Sequence, residues 1–108
     1  METTFKALSD STRLRILSIL AQGECCVCEL ERTLQLSQPN ISRQLNLLKN
    51  AGFLHSRKQA QWAYYQISPN FVSTQPGLWA YLLEHFPTLP TYENDQKRLL
   101  DRQANRCT

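Results

Sequence analysis

The chain of 108 residues has no apolar run near the ~20 residues needed to cross a bilayer. Its longest, Ile16 to Leu20 and Leu78 to Leu83, are short and interrupted by polar residues, so a membrane-spanning helix is excluded. The opening residues Met1-Glu2-Thr3-Thr4-Phe5-Lys6 lack the basic and then apolar segments of an export signal, and the expected location is cytoplasmic. Histidine is nearly absent: His55 and His85 stand far in sequence from any other ligand, which disfavours a zinc centre needing four nitrogen or sulfur donors. Internal repeats and low-complexity segments are missing too. With 42% hydrophobic and 19% charged residues the composition is that of a folding chain, and its length suits a single domain.

The most informative gap is in negative charge. No Asp or Glu occurs from Arg32 through Leu83, a stretch that holds Arg32, Arg43, Lys49, Arg57 and Lys58. It carries +5 of a net +3, and the seven basic and nine acidic residues elsewhere carry −2. An acid-free, basic segment is the footprint expected where a nucleic-acid backbone approaches, since each carboxylate facing phosphate would oppose binding.

Cysteine, by contrast, is crowded: Cys25, Cys26 and Cys28 fall within four positions, with Cys107 apart. Three thiols so close cannot staple distant segments, and without an export signal they point to metal or redox chemistry.

Asp10 or Ser11 is suited to cap a helix over Thr12–Ala21, with Leu14, Leu17 and Leu20 on one face and Gly23 as its end. A short helix from Cys26 to Leu34 follows, then Gln35-Leu36, then a helix from Ser37, with Pro39 in its first turn, to Ala51 before Gly52. The pair has the dimensions of a helix-turn-helix. After Gly52 the pattern turns to strands, Phe53–Lys58 and Trp62–Ile67, joined by Gln59-Ala60-Gln61. Ser68-Pro69-Asn70 closes this hairpin, an amphipathic helix carries Leu78, Trp79, Leu82, Leu83 and Phe86, and a polar helix covers Glu93–Ala104. The expected fold is mostly α with a β-hairpin, a winged helix-turn-helix that is dimeric. Residues 1–90 form the DNA-binding and dimerisation domain and 91–108 a C-terminal helix and tail.

Four segments carry a resemblance: Ala7 to Leu14, Gly23-Glu24-Cys25-Cys26-Val27-Cys28-Glu29-Leu30, Ser37 to Ser42, and Arg57-Lys58-Gln59 with Trp62, Tyr64 and Tyr65. Together, over roughly residues 5–86, they resemble the ArsR family of metalloregulatory repressors. Within that family the Cys-Val-Cys box marks arsenic-responsive repressors. The resemblance implies that Cys26 and Cys28 are metalloid ligands, which suits soft thiolates and thiophilic arsenic or antimony. Where many such members carry a further cysteine three residues on, this chain has Glu31. Cys25 is the substitute by proximity and Cys107 the alternative. On an intact helix Cys26 and Cys28 point about 200° apart, so one ion bridging them is expected to bend or unwind the first helical turn. No cofactor is permanently bound in this reading; arsenite or antimonite is the inducer.

The start of the second helix of a helix-turn-helix enters the major groove. Ser37, Gln38, Asn40, Ser42, Arg43 and Gln44 are therefore the expected DNA-reading residues, with Arg57 and Lys58 on the wing. Gln44 stands where the family commonly has histidine. Trp62, Tyr64 and Tyr65 alternate along the second strand, and Tyr65 is expected to pack in the core. The dimer surface is expected from Leu78, Trp79, Leu82, Leu83 and Phe86 with Phe5 and Leu8, and the partners are a palindromic operator duplex and a second copy of the chain. Two rival readings share these residues: a redox-responsive repressor switched by cysteine oxidation, and a thiol oxidoreductase using Cys25-x-x-Cys28. The absence of a βαβ pattern around the thiols disfavours the enzyme.

Overall fold

A computed structural model describes residues 1–104, with side chains as far as Asp101. Helix α1 (Glu2–Leu8) leads into α2 (Ser11–Leu20), which is started by Asp10. The Asp10 carboxylate accepts from the backbone N–H groups of Thr12 at 2.7 Å and Arg13 at 3.2 Å, satisfying donors that a helix start leaves over. The end of α2 is buried on more than one face: Ile16, Leu17 and Ile19 are sealed in the core, while the expected Leu14 is only half-buried.

Strand β1 (Cys25–Cys26) precedes α3 (Val27–Leu34) and α4 (Gln38–Asn50). Gln35, at φ 56°, makes the left-handed turn between the two helices. Leu30 and Leu34 of α3 meet Ile41, Leu45 and Leu48 of α4, all fully buried, so α3 is the platform on which α4 rests. The wing is β2 (Leu54–Gln59) and β3 (Trp62–Ile67), antiparallel and in register from Leu54 opposite Ile67 to Gln59 opposite Trp62. Ala60 at its tip has φ 55°.

The sheet has a third strand that the sequence did not announce. Cys25 pairs with Tyr65 and Cys26 with Tyr64, giving the strand order β1-β3-β2. A two-residue strand is too short to show alternation, and its residues read equally well as the start of α3. Helices α5 (Pro69–Thr74) and α6 (Pro76–His85), a 3₁₀ turn (Phe86–Thr88) and α7 (Tyr92–Ala104) complete the fold. Phe53 sits at the junction of α4 and the wing, fully buried, its ring 4.6 Å from that of Phe71. Phe53→Ala should cost about 3–5 kcal/mol through lost burial and the cavity left behind. Urea titration checks this, and a loss under about 1 kcal/mol would contradict it.

Helix α7 packs on α3 more extensively than any other helix pair does, and a buried carboxylate fixes it there. Asp95 accepts from Arg15 Nε at 3.0 Å and Nη2 at 2.9 Å, from Arg98 Nη2 at 2.9 Å and from Thr91 Oγ1 at 3.0 Å. The same two arginines reach the end of α3: Arg15 Nη2 donates to the Leu34 carbonyl at 3.0 Å and Arg98 Nε to that of Thr33 at 2.6 Å. Carbonyls that a helix C-terminus leaves unpaired are satisfied by guanidinium groups from two other helices.

Of the expected dimer stripe, Leu82 and Phe86 face inward and complete the monomer core. Phe5 and Leu83 are exposed, and Tyr81, which the stripe omitted, is exposed beside them. Phe5, Leu8, Leu78, Tyr81 and Leu89 line one apolar groove between α1 and α6.

Candidate nucleic-acid interface and thiol site

Ser37 caps α4, its hydroxyl accepting from the Asn40 N–H at 3.4 Å, and Pro39 occupies the first turn where its missing donor does no harm. The helix therefore begins squarely at the residues expected to read DNA. Ser37, Gln38 and Arg43 are exposed, and Asn40 and Ser42 half-buried. Their side chains hold one another: Gln38 Nε2 donates to Ser42 Oγ at 2.7 Å and Arg43 Nη2 to Asn40 Oδ1 at 3.1 Å. Such pairs present amides and a guanidinium in fixed orientations towards a groove.

Gln44 differs from the expectation of a groove-facing side chain. It is buried, with Oε1 accepting from Arg13 Nη1 at 2.8 Å and Nε2 donating to Asn40 Oδ1 at 3.3 Å. Arg13 is itself anchored on the carbonyls of Ala7, at 2.7 Å, and Lys6, at 3.2 Å. Gln44 thus ties α4 to the α1–α2 junction and orients Asn40, rather than standing out towards a base.

On the wing, Arg57 is held by Glu24 in a two-pronged ion pair, Nε to Oε2 at 2.9 Å and Nη2 to Oε1 at 2.7 Å. Its guanidinium carbon lies 4.6 Å from the centroid of the Tyr64 ring, and hydrogen bonding to Glu24 raises its pKa above the ordinary arginine value. Lys58, opposite Ala63 in the ladder, projects from the other face of the hairpin and is exposed. Glu24 was not singled out in the sequence, and only its place one residue before the cysteines hinted at a role.

Register also sorts the cysteines. Directly paired residues share a face, so Cys26, Tyr64 and Arg57 form one row across the sheet and Cys25, Tyr65 and Ser56 the other. The second row is the core row: Cys25 and Tyr65 both pack into the main apolar cluster, Tyr65 as expected. Cys25 therefore belongs to a strand, on the face opposite Cys26, and does not share a helical face with Cys28.

Cys26 is the N-cap of α3, with extended backbone at φ −82° and ψ 164°. Glu29, three residues on, closes a capping box: its Oε1 accepts from the Cys26 N–H at 3.2 Å while the Glu29 N–H points at the Cys26 sulfur. Because the cap residue lies outside the helical spiral, its side chain folds over the first turn, and the Cys26 and Cys28 sulfurs lie 2.7 Å apart. The expectation that one ion could bridge them only after the turn unwinds is thereby corrected. It assumed helical angles at Cys26. Cys-x-x-Glu has the spacing of a capping box with sulfur in place of a hydroxyl, and that signal was present in the sequence. Burial pushes the Cys26 thiol above its ordinary 9.0, against the pull of the Glu29 N–H; the Glu29 carboxylate adds to the rise.

Among the described residues no group of three His, Cys, Asp or Glu is arranged to hold a metal ion. His85 belongs elsewhere, with Nδ1 2.8 Å from the Tyr81 carbonyl and its ring stacked on Tyr81 at 4.0 Å. Cys107 lies outside the described residues.

Two helices about a left-handed turn, the second carrying exposed amides and a guanidinium and followed by a hairpin, define a winged helix-turn-helix regulator. Among the solved structures it resembles, HlyU from Vibrio cholerae matches at TM-score 0.64 and 35% identity over 74% of this chain and 87% of that one. A homodimeric winged helix-turn-helix DNA-binding domain from Mycobacterium bovis, a possible ArsR-family regulator, matches at TM-score 0.67 and 28% identity over 78% of each chain. The family model described as bacterial regulatory protein, arsR family, matches residues 10–56. The arsenical resistance operon repressor of Escherichia coli is 51% identical over 67 residues, covering 61% of this chain and 57% of that protein. The chain belongs to the ArsR family, a family of transcriptional regulators and not of enzymes. It spans between 52% and 65% of the length of the arsenic-resistance relatives it matches.

Proposed function

We propose that the chain is a repressor that binds a palindromic operator as a homodimer and is released when trivalent arsenic or antimony binds Cys26 and Cys28. The observation that carries this reading is the convergence of the two sulfurs, 2.7 Å apart, at the start of the helix that supports α4. Two sulfurs that the start of α3 already brings together suit a small thiophilic centre once both are reduced thiols.

The site is coupled to both DNA-facing elements. Cys26 belongs to β1, which is laddered to β3 of the wing, and Glu24 beside it holds Arg57. Cys28 belongs to α3, whose Leu30 and Leu34 pack on α4. An ion that draws the sulfurs into its own bond geometry shifts β1 against α3. It favours the arrangement in which wing and α4 no longer fit the same duplex, and differential affinity for the two arrangements is what releases DNA.

The exposed apolar groove of Phe5, Leu8 and Tyr81 supplies the dimer surface in this reading. One recognition helix contacts too few base pairs for a selective operator, and a two-fold pair reads an inverted repeat. The sulfur pair also has the proximity for a disulfide switch.

The test is fluorescence anisotropy of the reduced protein on a labelled duplex from upstream of its gene, titrated with arsenite and separately with peroxide. Release by arsenite under reducing conditions is expected; release by peroxide alone would replace this reading with the redox switch. On the same duplex, Arg43→Ala should weaken binding by about 1–3 kcal/mol and lower the salt slope by about one, leaving arsenite affinity as it was. Unchanged operator affinity would remove Arg43 from the reading face.

A further inference from the structure

We infer that Asn40 reads a guanine, and that the buried Gln44 is the positioning residue behind this choice. This rests on the reading of α4 as the helix that enters the major groove, and names the base that one of its side chains selects.

Arg13 can only donate. Its Nε and Nη2 are bound to the carbonyls of Ala7 and Lys6, which fixes the guanidinium, and its Nη1 lies 2.8 Å from the Gln44 amide. The atom that Gln44 turns to Arg13 is therefore its oxygen, and the atom it turns to Asn40, 3.3 Å away, is its nitrogen. A nitrogen there requires an acceptor on Asn40, and Arg43, a second obligate donor, meets the same atom at 3.1 Å. Two donors thus converge on Asn40 Oδ1, which has two lone pairs to give. The Gln38–Ser42 pair carries no such direction, since a hydroxyl both donates and accepts.

An asparagine recognises adenine by a pair of bonds, its oxygen accepting from N6 and its nitrogen donating to N7. With Oδ1 engaged by Arg43 and Gln44, Asn40 has the two Nδ2 donors left to offer a base. Guanine places two acceptors, O6 and N7, on its major-groove edge, whereas adenine puts an amino donor where guanine has O6. A side chain that can only donate matches G·C and opposes A·T. The choice is set from inside the fold, because Gln44 is buried and its partner Arg13 belongs to α2.

Selection from a randomised duplex pool by the full chain, with the bound sequences read out, tests this. Asn40→Ala identifies the position that the residue reads, as the one where base preference flattens. In the parent that position should favour G·C over A·T by at least about fivefold, the lower end of what a base contact contributes. Asn40→Asp keeps an acceptor for Arg43 and Gln44 but turns an oxygen outward in place of the amino group, and should exchange G·C for A·T at that position alone. Gln44→Glu still accepts from Arg13 but has no donor, so it should turn the Asn40 amide over and make the same exchange without touching DNA. Unchanged preferences elsewhere in the site show that each variant is folded. A·T favoured in the parent, or G·C retained in Asn40→Asp, would overturn the assignment to guanine, and G·C retained in Gln44→Glu would overturn the role of Gln44. If Asn40→Ala flattens no position, Asn40 reads no base and the underlying reading of its side chain falls instead.

Discussion

Cys26→Ser will abolish release of DNA by arsenite while leaving operator affinity without inducer within about threefold of the parent. The asymmetry follows from the double role of the residue. Its sulfur is one of the two converging donors, and its position is the N-cap of α3. A hydroxyl is a poor ligand for arsenic but a better cap than a thiol, since serine accepts readily from the N–H groups at the start of a helix. The Glu29 half of the capping box, which uses the backbone N–H of residue 26, is untouched. The platform under α4 is therefore kept while the inducer loses its hold. No release is expected at arsenite concentrations up to about a hundred times those that release the parent, the size of an entire allosteric coupling. Anisotropy on the operator duplex gives both quantities, and an unaltered arsenite response would remove Cys26 from the site.

Asp95→Ala should be the most damaging single change outside the apolar core. The carboxylate is buried, with its side chain 4% exposed, and it accepts from two arginines whose side chains are 16% and 27% exposed. Removing it leaves Arg15 poorly hydrated beside the end of α3, and deleting one partner of a buried pair costs about 3–5 kcal/mol. The partial exposure of Arg98 places the expected loss near the lower end, about 3 kcal/mol. For a domain of this size that is a fall in Tm of roughly 12–24 °C. Asp95→Asn, which keeps one acceptor oxygen, should lose less. Thermal melts by circular dichroism decide the matter, and a loss under about 1 kcal/mol would show that α7 is held by its apolar face alone.

The helix-turn-helix and the hairpin were legible because each rests on local signals that tertiary packing reinforces. Asp10, Ser37 and Pro39 mark helix starts, and the Ile41, Leu45 and Leu48 stripe is the buried face of α4. What the sequence concealed depends on long-range pairing. Nothing local distinguishes Cys25–Cys26 as a strand from the same residues as a helical turn; the ladder to Tyr64 and Tyr65, some forty residues on, decides it. Reading Cys26 as helical then put its sulfur on the wrong side of Cys28. Gln44 was misread for a related reason, since its partner Arg13 lies 31 residues away and turns a polar side chain inward. The burial of Asp95 has the same origin, a guanidinium 80 residues distant.

That last separation sets an order of assembly during synthesis. Arg15 emerges from the ribosome early, and the carboxylate that neutralises it follows only eighty residues later. The hairpin and the helix-turn-helix can pair on contacts available before residue 70, whereas the α7 clamp must follow them. A product truncated before Tyr92 would therefore carry the helix presented to DNA without the arm that locks it, and a quality-control protease would find the bare end of α3 as its point of entry.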